Sequence, residues 1–308
     1  MSGARVSYYF RALARNLLPF KGASALLSSL GALYTVLKCA DYFHFARQDQ
    51  VQAFWWAFIL AGMVGALWRC RPKLSVRCKL KDRDISIEIA IGDLFSFDGA
   101  LIVGTNTTFD TVISREQIDE SSIQGQFTKK YYGDHTSLDD ELESQLRGVH
   151  YEALEGTRIG KARRYDIGTT VRLRTKDRIG YFLATCNVNE HGVASGTFEG
   201  LKQALGQLWI FIGDRGGKEH LVMPVLGSGF MRLKASRQVI TQEIMKSFIA
   251  ACAERTLCEH LTIVLNEKDV LKNEVDLNAL SDYLRHLCTY TEFSSETTER
   301  TGTAVPNG

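Results

Sequence analysis

His220 to Phe230 reads HLVMPVLGSGF, an apolar run that ends in a Gly-Ser-Gly bend and is followed by a helical pattern over Ser236 to Ala253. A strand feeding a glycine-bearing loop and then a helix is the repeating unit of an α/β sheet, in which ligands lie beyond the carboxyl ends of the strands. The same alternation extends outward in both directions. Asp84 to Ile91 (DISIEIAI) alternates polar and apolar as a half-buried strand, and Ala100 to Val103 (ALIV) is a short, fully buried one. Further strands are predicted at Ala162 to Ile167, Tyr181 to Cys186, His220 to Val225 and His260 to Leu265. Helices are predicted around Thr197 to Ile212, Ser236 to Ala253 and Leu277 to Leu287. Thr136 and Ser137 precede Asp139 and Asp140 at capping-box spacing, which opens a polar helix expected to run to about Leu154. The fold class expected is α/β.

Before this region lie two apolar stretches, Gly22 to Leu37 and Val51 to Trp68, the second with no charged residue over 18 positions. A bilayer-crossing helix needs about 20 such residues, so the pair predicts two transmembrane helices. Arg5, Arg11, Arg15 and Lys21 precede the first stretch and Arg69, Arg71, Lys73 and Arg77 follow the second, whereas Asp41 to Gln50 between them carries Arg47 against Asp41 and Asp49. That asymmetry places both termini in the cytoplasm of a cell with the hairpin in its inner membrane. A helical hairpin buried in a soluble domain is the competing reading. Small residues recur every four positions at Ala57, Ala61 and Gly65, and at Ser24, Ser28 and Ala32, faces that let helices approach closely or simply reflect ordinary membrane composition.

The 37 Lys and Arg against 35 Asp and Glu give a net charge of +2 and no broad basic surface, which argues against a nucleic-acid partner. Seven cysteines without CxxC pairing fit reduced thiols rather than a disulfide framework or a metal site; Cys186 with His191 lacks a second pair at ligand spacing. Beyond Phe293 the chain (SSETTERTGTAVPNG) is polar and aperiodic, as expected of a disordered tail. The expected organisation is residues 1–73 as an N-terminal segment with the hairpin, 74–290 as the ligand-binding domain and 291–308 as the tail.

No nucleophile motif, zinc ligand set or Walker loop is present. Three glycine-bearing turns, each directly after a strand, carry the chemistry instead. In Ile91-Gly92-Asp93-Leu94-Phe95 the glycine permits a tight exit and Asp93 can accept a hydrogen bond from an amino group such as that of adenine. In Ile102-Val103-Gly104-Thr105-Asn106-Thr107 small polar residues end a buried strand and can donate to an oxygen-rich ligand. In Met223 to Phe230 the Gly-Ser-Gly bend offers backbone N–H groups that can wrap a diphosphate. An ordinary turn is the competing explanation at each.

Taken in order, these turns resemble those of the macro domain, a three-layer α/β fold with a mixed central sheet, over roughly Leu74 to Tyr290. The resemblance implies an ADP-ribose derivative as ligand; no cofactor or metal site is read from the sequence, and no residue is assigned a catalytic role. It places adenine on Asp93 and Leu94, and the diphosphate and distal ribose on Gly227, Ser228, Gly229 and Phe230, with Asn106 and Thr107 also in the site. Hydrolytic members carry an asparagine-rich turn and a glycine triplet, of which Asn106 and Gly125 survive here, so the changes favour binding over turnover. A membrane hairpin joined to such a domain also resembles the effector of Thoeris-type antiphage systems. That implies a nucleotide signal made from NAD by a TIR-domain partner, a lipid bilayer as target, homo-oligomers, and membrane damage leading to death or arrest of the host cell. The alternatives are a membrane-anchored ADP-ribosyl hydrolase or related NAD-metabolite enzyme, and a passive anchor.

Overall fold

The computed structural model describes residues 9–14, 20–42, 55–81, 83–114, 117–227, 235–272 and 275–291. It comprises two compact units, Met1–Ser75 with Glu267–Lys272, and Val76–Asn266 with Asn273–Gly308.

In the first unit α1 (Phe20–Tyr42) and α2 (Trp55–Arg69) form an antiparallel helical pair. Gly62 lies so close to Leu30 that a Cβ there would meet Leu30 Cδ2 at 2.7 Å, and Gly65 faces Ser29. Ala25, Ala66 and Cys70 are buried together, with Leu13 against them. The seam therefore runs through Gly62, Gly65 and Ala66, at helical spacings of three and one, rather than along the expected four-residue stripes. Ser24, Ser28, Ala32 and Ala61 are exposed.

Among the described residues no helix is long and apolar enough to cross a membrane, so the expected transmembrane hairpin is not supported. The reasons differ for the two helices. α1 has the length, but Lys21, Lys38 and Asp41 fall within it alongside several hydroxyls. α2 has the apolarity, but its 15 residues rise about 22 Å against a hydrocarbon core of roughly 30 Å. Val51 to Phe54, which would lengthen it, lie outside the described residues.

The second unit is built on a mixed sheet. Its strands are β1 (Ser75–Lys79), β2 (Ser86–Ile91), β3 (Ala100–Asn106), β6 (Thr170–Arg174), β7 (Ile179–Val188), β8 (Ala194–Ser195), β9 (Leu221–Pro224) and β10 (His260–Leu265). The order is β1-β2-β10-β9-β3-β7-β6, with β8 paired to β7. From β2 to β7 every pair is parallel, and β6 runs antiparallel to β7. β4 (Tyr151–Ala153) and β5 (Arg163–Tyr165) make a separate antiparallel pair. The segment expected at Ala162 to Ile167 thus lies outside the main sheet.

Strand parity assigns the two faces. Phe182 packs against Phe127 of α3 (Ile123–Tyr131), and Leu138, Leu142 and Leu146 of α4 (His135–Leu146) join the same core. The adjacent Tyr181 points the opposite way, to Phe211 of α5 (Phe198–Arg215), which packs with α6 (Arg237–Glu254) through Trp209 and Phe248. α8 (Leu277–Tyr290) contacts α6 on that face, and α7 (Glu267–Leu271) belongs to the first unit. This is a three-layer α/β fold.

Side-chain caps fix the helix starts: Thr197 accepts from Gly200 N–H, Ser236 from Val239 N–H and Ser122 from Gly125 N–H. The polar helix expected from Thr136 begins instead at His135 with Asp134 as its cap, and it stops at Leu146. Gly148, at φ +82°, reverses the chain there, and Tyr151–Ala153 is a strand.

Candidate functional site

The parallel register brings the carboxyl ends of β2, β10, β9, β3 and β7 to one edge, with Leu265 beside Ile91, Val264 beside Pro224, and Asn106 beside Cys186. An open α/β sheet presents its ligand crevice at this edge.

At the end of β2, Gly92 N–H donates to Leu265 O at 3.1 Å and Asp93 caps the 3-10 turn Leu94–Ser96. One carboxylate oxygen of Asp93 accepts from Phe95 N–H at 3.1 Å, and its carbonyl accepts from the N–H and hydroxyl of Ser96. The residue is exposed, whereas Leu94 is buried in the core. Arg178 secures this connection by donating to the carbonyls of Gly99, Phe95 and Phe97. The loop that carries Asp93 is therefore tied down along its course from β2 to the start of β3.

Asn106 and Thr107 are turned inward. The Asn106 carboxamide donates to Asp110 Oδ2 at 2.9 Å and accepts from Asp110 N–H at 3.1 Å, and the single hydroxyl proton of Thr108 is shared between the Asn106 oxygen at 3.1 Å and Asp110 Oδ2. Thr107 N–H donates to Cys186 O, its carbonyl accepts from Tyr165 N–H, and its hydroxyl donates to Asn187 Oδ1. With Asn106 at 7% and Thr107 at 1% exposure, both side chains are satisfied within the protein and form the floor of the edge.

Asp110 is the centre of that floor. It is 2% exposed, and its carboxylate accepts from Asn106 Nδ2, Thr108 Oγ1 at 2.6 Å and Lys161 N–H at 2.7 Å. Gln124 Nε2 donates to its carbonyl, and Lys161 Nζ pairs with Asp139, which also accepts from Thr111. Gly160, at φ +98°, presses so closely that a Cβ would sit 2.5 Å from Asp110 Oδ1. Sequence reading missed Asp110, Gln124, Asp139, Lys161 and Arg178. The density of polar side chains over 106–111 was a signal, but their partners arrive from distant segments.

At the end of β9, Gly227 has φ +76°, a conformation that favours glycine. Leu226 is buried beside Gly104, where a Cβ would come 3.3 Å from Leu226 Cδ2. Ser228, Gly229 and Phe230 lie outside the described residues. Gly125 serves packing: a Cβ there would meet the carbonyl of Asp119 at 2.4 Å.

Among the described residues no group of three His, Cys, Asp or Glu side chains is placed to hold a metal. The thiol nearest the edge, Cys186, is pushed up to about 11 by burial and is not a thiolate nucleophile at neutral pH. What the edge offers is an exposed carboxylate at one end and a left-handed glycine bend two strands away, on a rigid polar floor. Such an arrangement suits recognition of a ligand that carries both a hydrogen-bond donor and an anionic group.

Residues 87–266 match the family described as "Thoeris protein ThsA, Macro domain". Thoeris protein ThsA of Bacillus amyloliquefaciens (strain Y2) is 24% identical over 151 residues, 47% of this chain and 50% of that protein. The match thus spans about half the length of that curated relative. Among solved structures, a glycine-to-valine variant of the Oceanobacillus iheyensis macrodomain with ADPR covers 68% of this chain and 99% of its own at 10% identity and a TM-score of 0.46. The same macrodomain with ADP gives 68%, 99%, 10% and 0.44.

Proposed function

The chain belongs to the family of Thoeris protein ThsA macro domains, and on that premise we propose that it senses an ADP-ribose-derived nucleotide signal in Thoeris antiphage defence. The observation that carries the reading is the shared sheet edge. Asp93, exposed and with one carboxylate oxygen free of its capping bond, stands at the end of β2, and the Gly227 bend stands at the end of β9 with β10 alone between them. Two strand spacings separate them by about 10 Å. Adenine on Asp93 and Leu94 with the diphosphate on the bend beginning at Gly227 fits that span. Asn106 and Thr107 enter this reading as the floor beneath the ligand.

Binding rather than turnover is favoured because the Asn106 side chain is buried and held at both its nitrogen and its oxygen by Asp110. An asparagine so held does not orient an attacking water. The signal is supplied, on this reading, by a TIR-domain partner enzyme that acts on NAD. The response is disruption of a membrane through the N-terminal helical pair, with homo-oligomers forming and the infected cell dying or arresting. Support for that last step is the exposed apolar surface of the pair, which includes Leu27, Tyr34, Val36, Ile59, Leu60, Val64 and Trp68.

Titration of the full chain with ADP-ribose, cyclic ADP-ribose isomers and amino-acid conjugates of ADP-ribose, together with assay of their breakdown, tests the reading. Saturable binding without turnover is expected. Turnover would return the protein to the hydrolase class, and no binding to any of them would leave a passive anchor.

A further inference from the structure

The charge of the chain is segregated. Residues 1–73 carry nine Lys and Arg against two Asp and Glu, although the whole chain has a net charge of +2, so the remainder is net acidic. Exposed apolar side chains gather in the same place: among the described residues, thirteen large ones belong to the first unit and six to the larger second unit. Surface apolar residues are ordinarily scattered, and a concentration of them marks an interaction site. Basic charge beside exposed apolar surface supplies the two attractions that hold a protein to anionic lipid.

Within the first unit a groove of about 440 Å³ brings both together. Its walls are Tyr9 and Leu13, from the helical residues 9–14, and Val64, Leu67 and Trp68 of α2, with Arg71 beyond the end of that helix. Val64, Leu67, Trp68 and Arg71 follow one another at the spacings of a single helical stripe. The three apolar members stand exposed. Arg71 closes the row: it is exposed, and its guanidinium carbon lies 5.9 Å from the centroid of the Trp68 ring, a cation–π contact that holds it at the end of the groove. Arg11, Arg69 and Lys73 are further exposed cations of the same unit.

We infer that this groove binds one anionic phospholipid, whose acyl chain lies on Leu13, Val64 and Leu67 and whose phosphate meets Arg71. The inference rests on the membrane reading of the helical pair given above and names the lipid class that reading leaves open. Tyr9 and Trp68 carry rings with an apolar body and a polar tip, which suit the boundary between chain and headgroup. A second copy of this unit would bring the same excess of cations against the groove. An acidic peptide would satisfy Arg71 but not the apolar row. A phospholipid supplies the anion and the apolar chain in one molecule.

Flotation of the full chain with vesicles of phosphatidylcholine alone, and of phosphatidylcholine mixed with phosphatidylglycerol, tests this. The wild type is expected to bind the mixed vesicles at least about tenfold more tightly, since each basic side chain near an anionic surface adds to the attraction. The difference should shrink at about 1 M salt, where the screening length falls to about 3 Å. Arg71→Gln should weaken binding to the mixed vesicles about fivefold, the share of one such side chain, and leave phosphatidylcholine vesicles unaffected. Arg147→Gln, at an exposed arginine of the second unit, should change neither. Val64→Gln should weaken binding to both vesicles, and cooperative thermal unfolding of each variant excludes a folding defect. Equal binding of the wild type to the two vesicles, or equal losses in Arg71→Gln and Arg147→Gln, overturns the inference and leaves the membrane reading standing. A Val64→Gln chain that alters self-association and not lipid binding assigns the groove to a second copy and also overturns it. Binding to neither vesicle defeats both.

Discussion

The carboxamide of Asn106 donates to the carboxylate of Asp110 at 2.9 Å and accepts from that residue's own N–H at 3.1 Å, so the two residues close a reciprocal ring at the end of β3. The ring turns a residue type often found orienting water into part of a scaffold. It also gives the candidate site a floor that is set before any ligand arrives.

Removing the carboxylate of that ring should be costly. Asp110→Ala leaves Asn106 Nδ2 and Lys161 N–H without their acceptor and Thr108 Oγ1 with the Asn106 oxygen alone, in a buried setting. A destabilisation of about 3 kcal/mol or more is expected, from about 1 to 3 kcal/mol per stranded group with partial compensation. Urea denaturation with an unchanged slope measures it.

Asp93→Asn separates recognition from capping. Asparagine caps a turn about as well as aspartate, so stability should change by less than about 0.5 kcal/mol. Loss of the charge should weaken ligand binding by about 1.5 to 3 kcal/mol. Thermal melts and calorimetry on the same preparation check the two halves.

Gly227→Ala places a side chain at φ +76°. The backbone strain should cost about 1 to 2 kcal/mol, and the closer approach of the ligand to the bend should be blocked. Addition of ligand should raise the melting temperature of the wild type and not of this variant.

The opposite end of the sheet predicts a pH response. Burial pushes the Glu219 carboxyl up, but hydrogen bonds from its own N–H, Arg172, Gly217 N–H and Tyr181 outweigh this and hold it below its ordinary 4.5. A depressed carboxyl contributes stability above its unfolded value that is lost as pH drops through its folded one. Burial and then the Glu219 charge push the Tyr181 hydroxyl up to about 12, so its contribution is present below pH 10 and lost as pH rises toward 12. Unfolding free energy followed from pH 5 to 3 and from pH 9 to 12 should decline at both ends. Glu219→Gln should flatten the acid limb, and Tyr181→Phe the alkaline one.

Much of this architecture was readable in sequence. β10 begins and ends at the expected residues, and Ser236, Thr197 and the apolar pattern of Leu277 onward placed three helices because side-chain caps and periodicity are local signals. The strand expected at Ala162 to Ile167 is present as β5, but its partner was not legible, since β4 is brought beside it only after Gly148 turns the chain back. α3 was missed because its sequence IQGQFTKKY is mostly polar and Phe127 is its one fully buried large apolar side chain. The helical pair was legible as a hairpin, but its seam was not, since Gly62 against Leu30 is a tertiary fit. In the site, Asp93 and Gly227 announced themselves as turn residues after strands. The inward rotation of Asn106 depends on Lys161, Gln124 and Asp139, whose meeting no spacing encodes.

The most direct measurement is calorimetric titration of the full chain with ADP-ribose and its cyclic and amino-acid-conjugated derivatives, run beside Gly227→Val. The account predicts saturable, one-site binding of at least one of them to the wild type, and its loss in Gly227→Val while that variant still unfolds cooperatively. A folded wild type that binds none of them, or a folded Gly227→Val that binds as tightly, would contradict it.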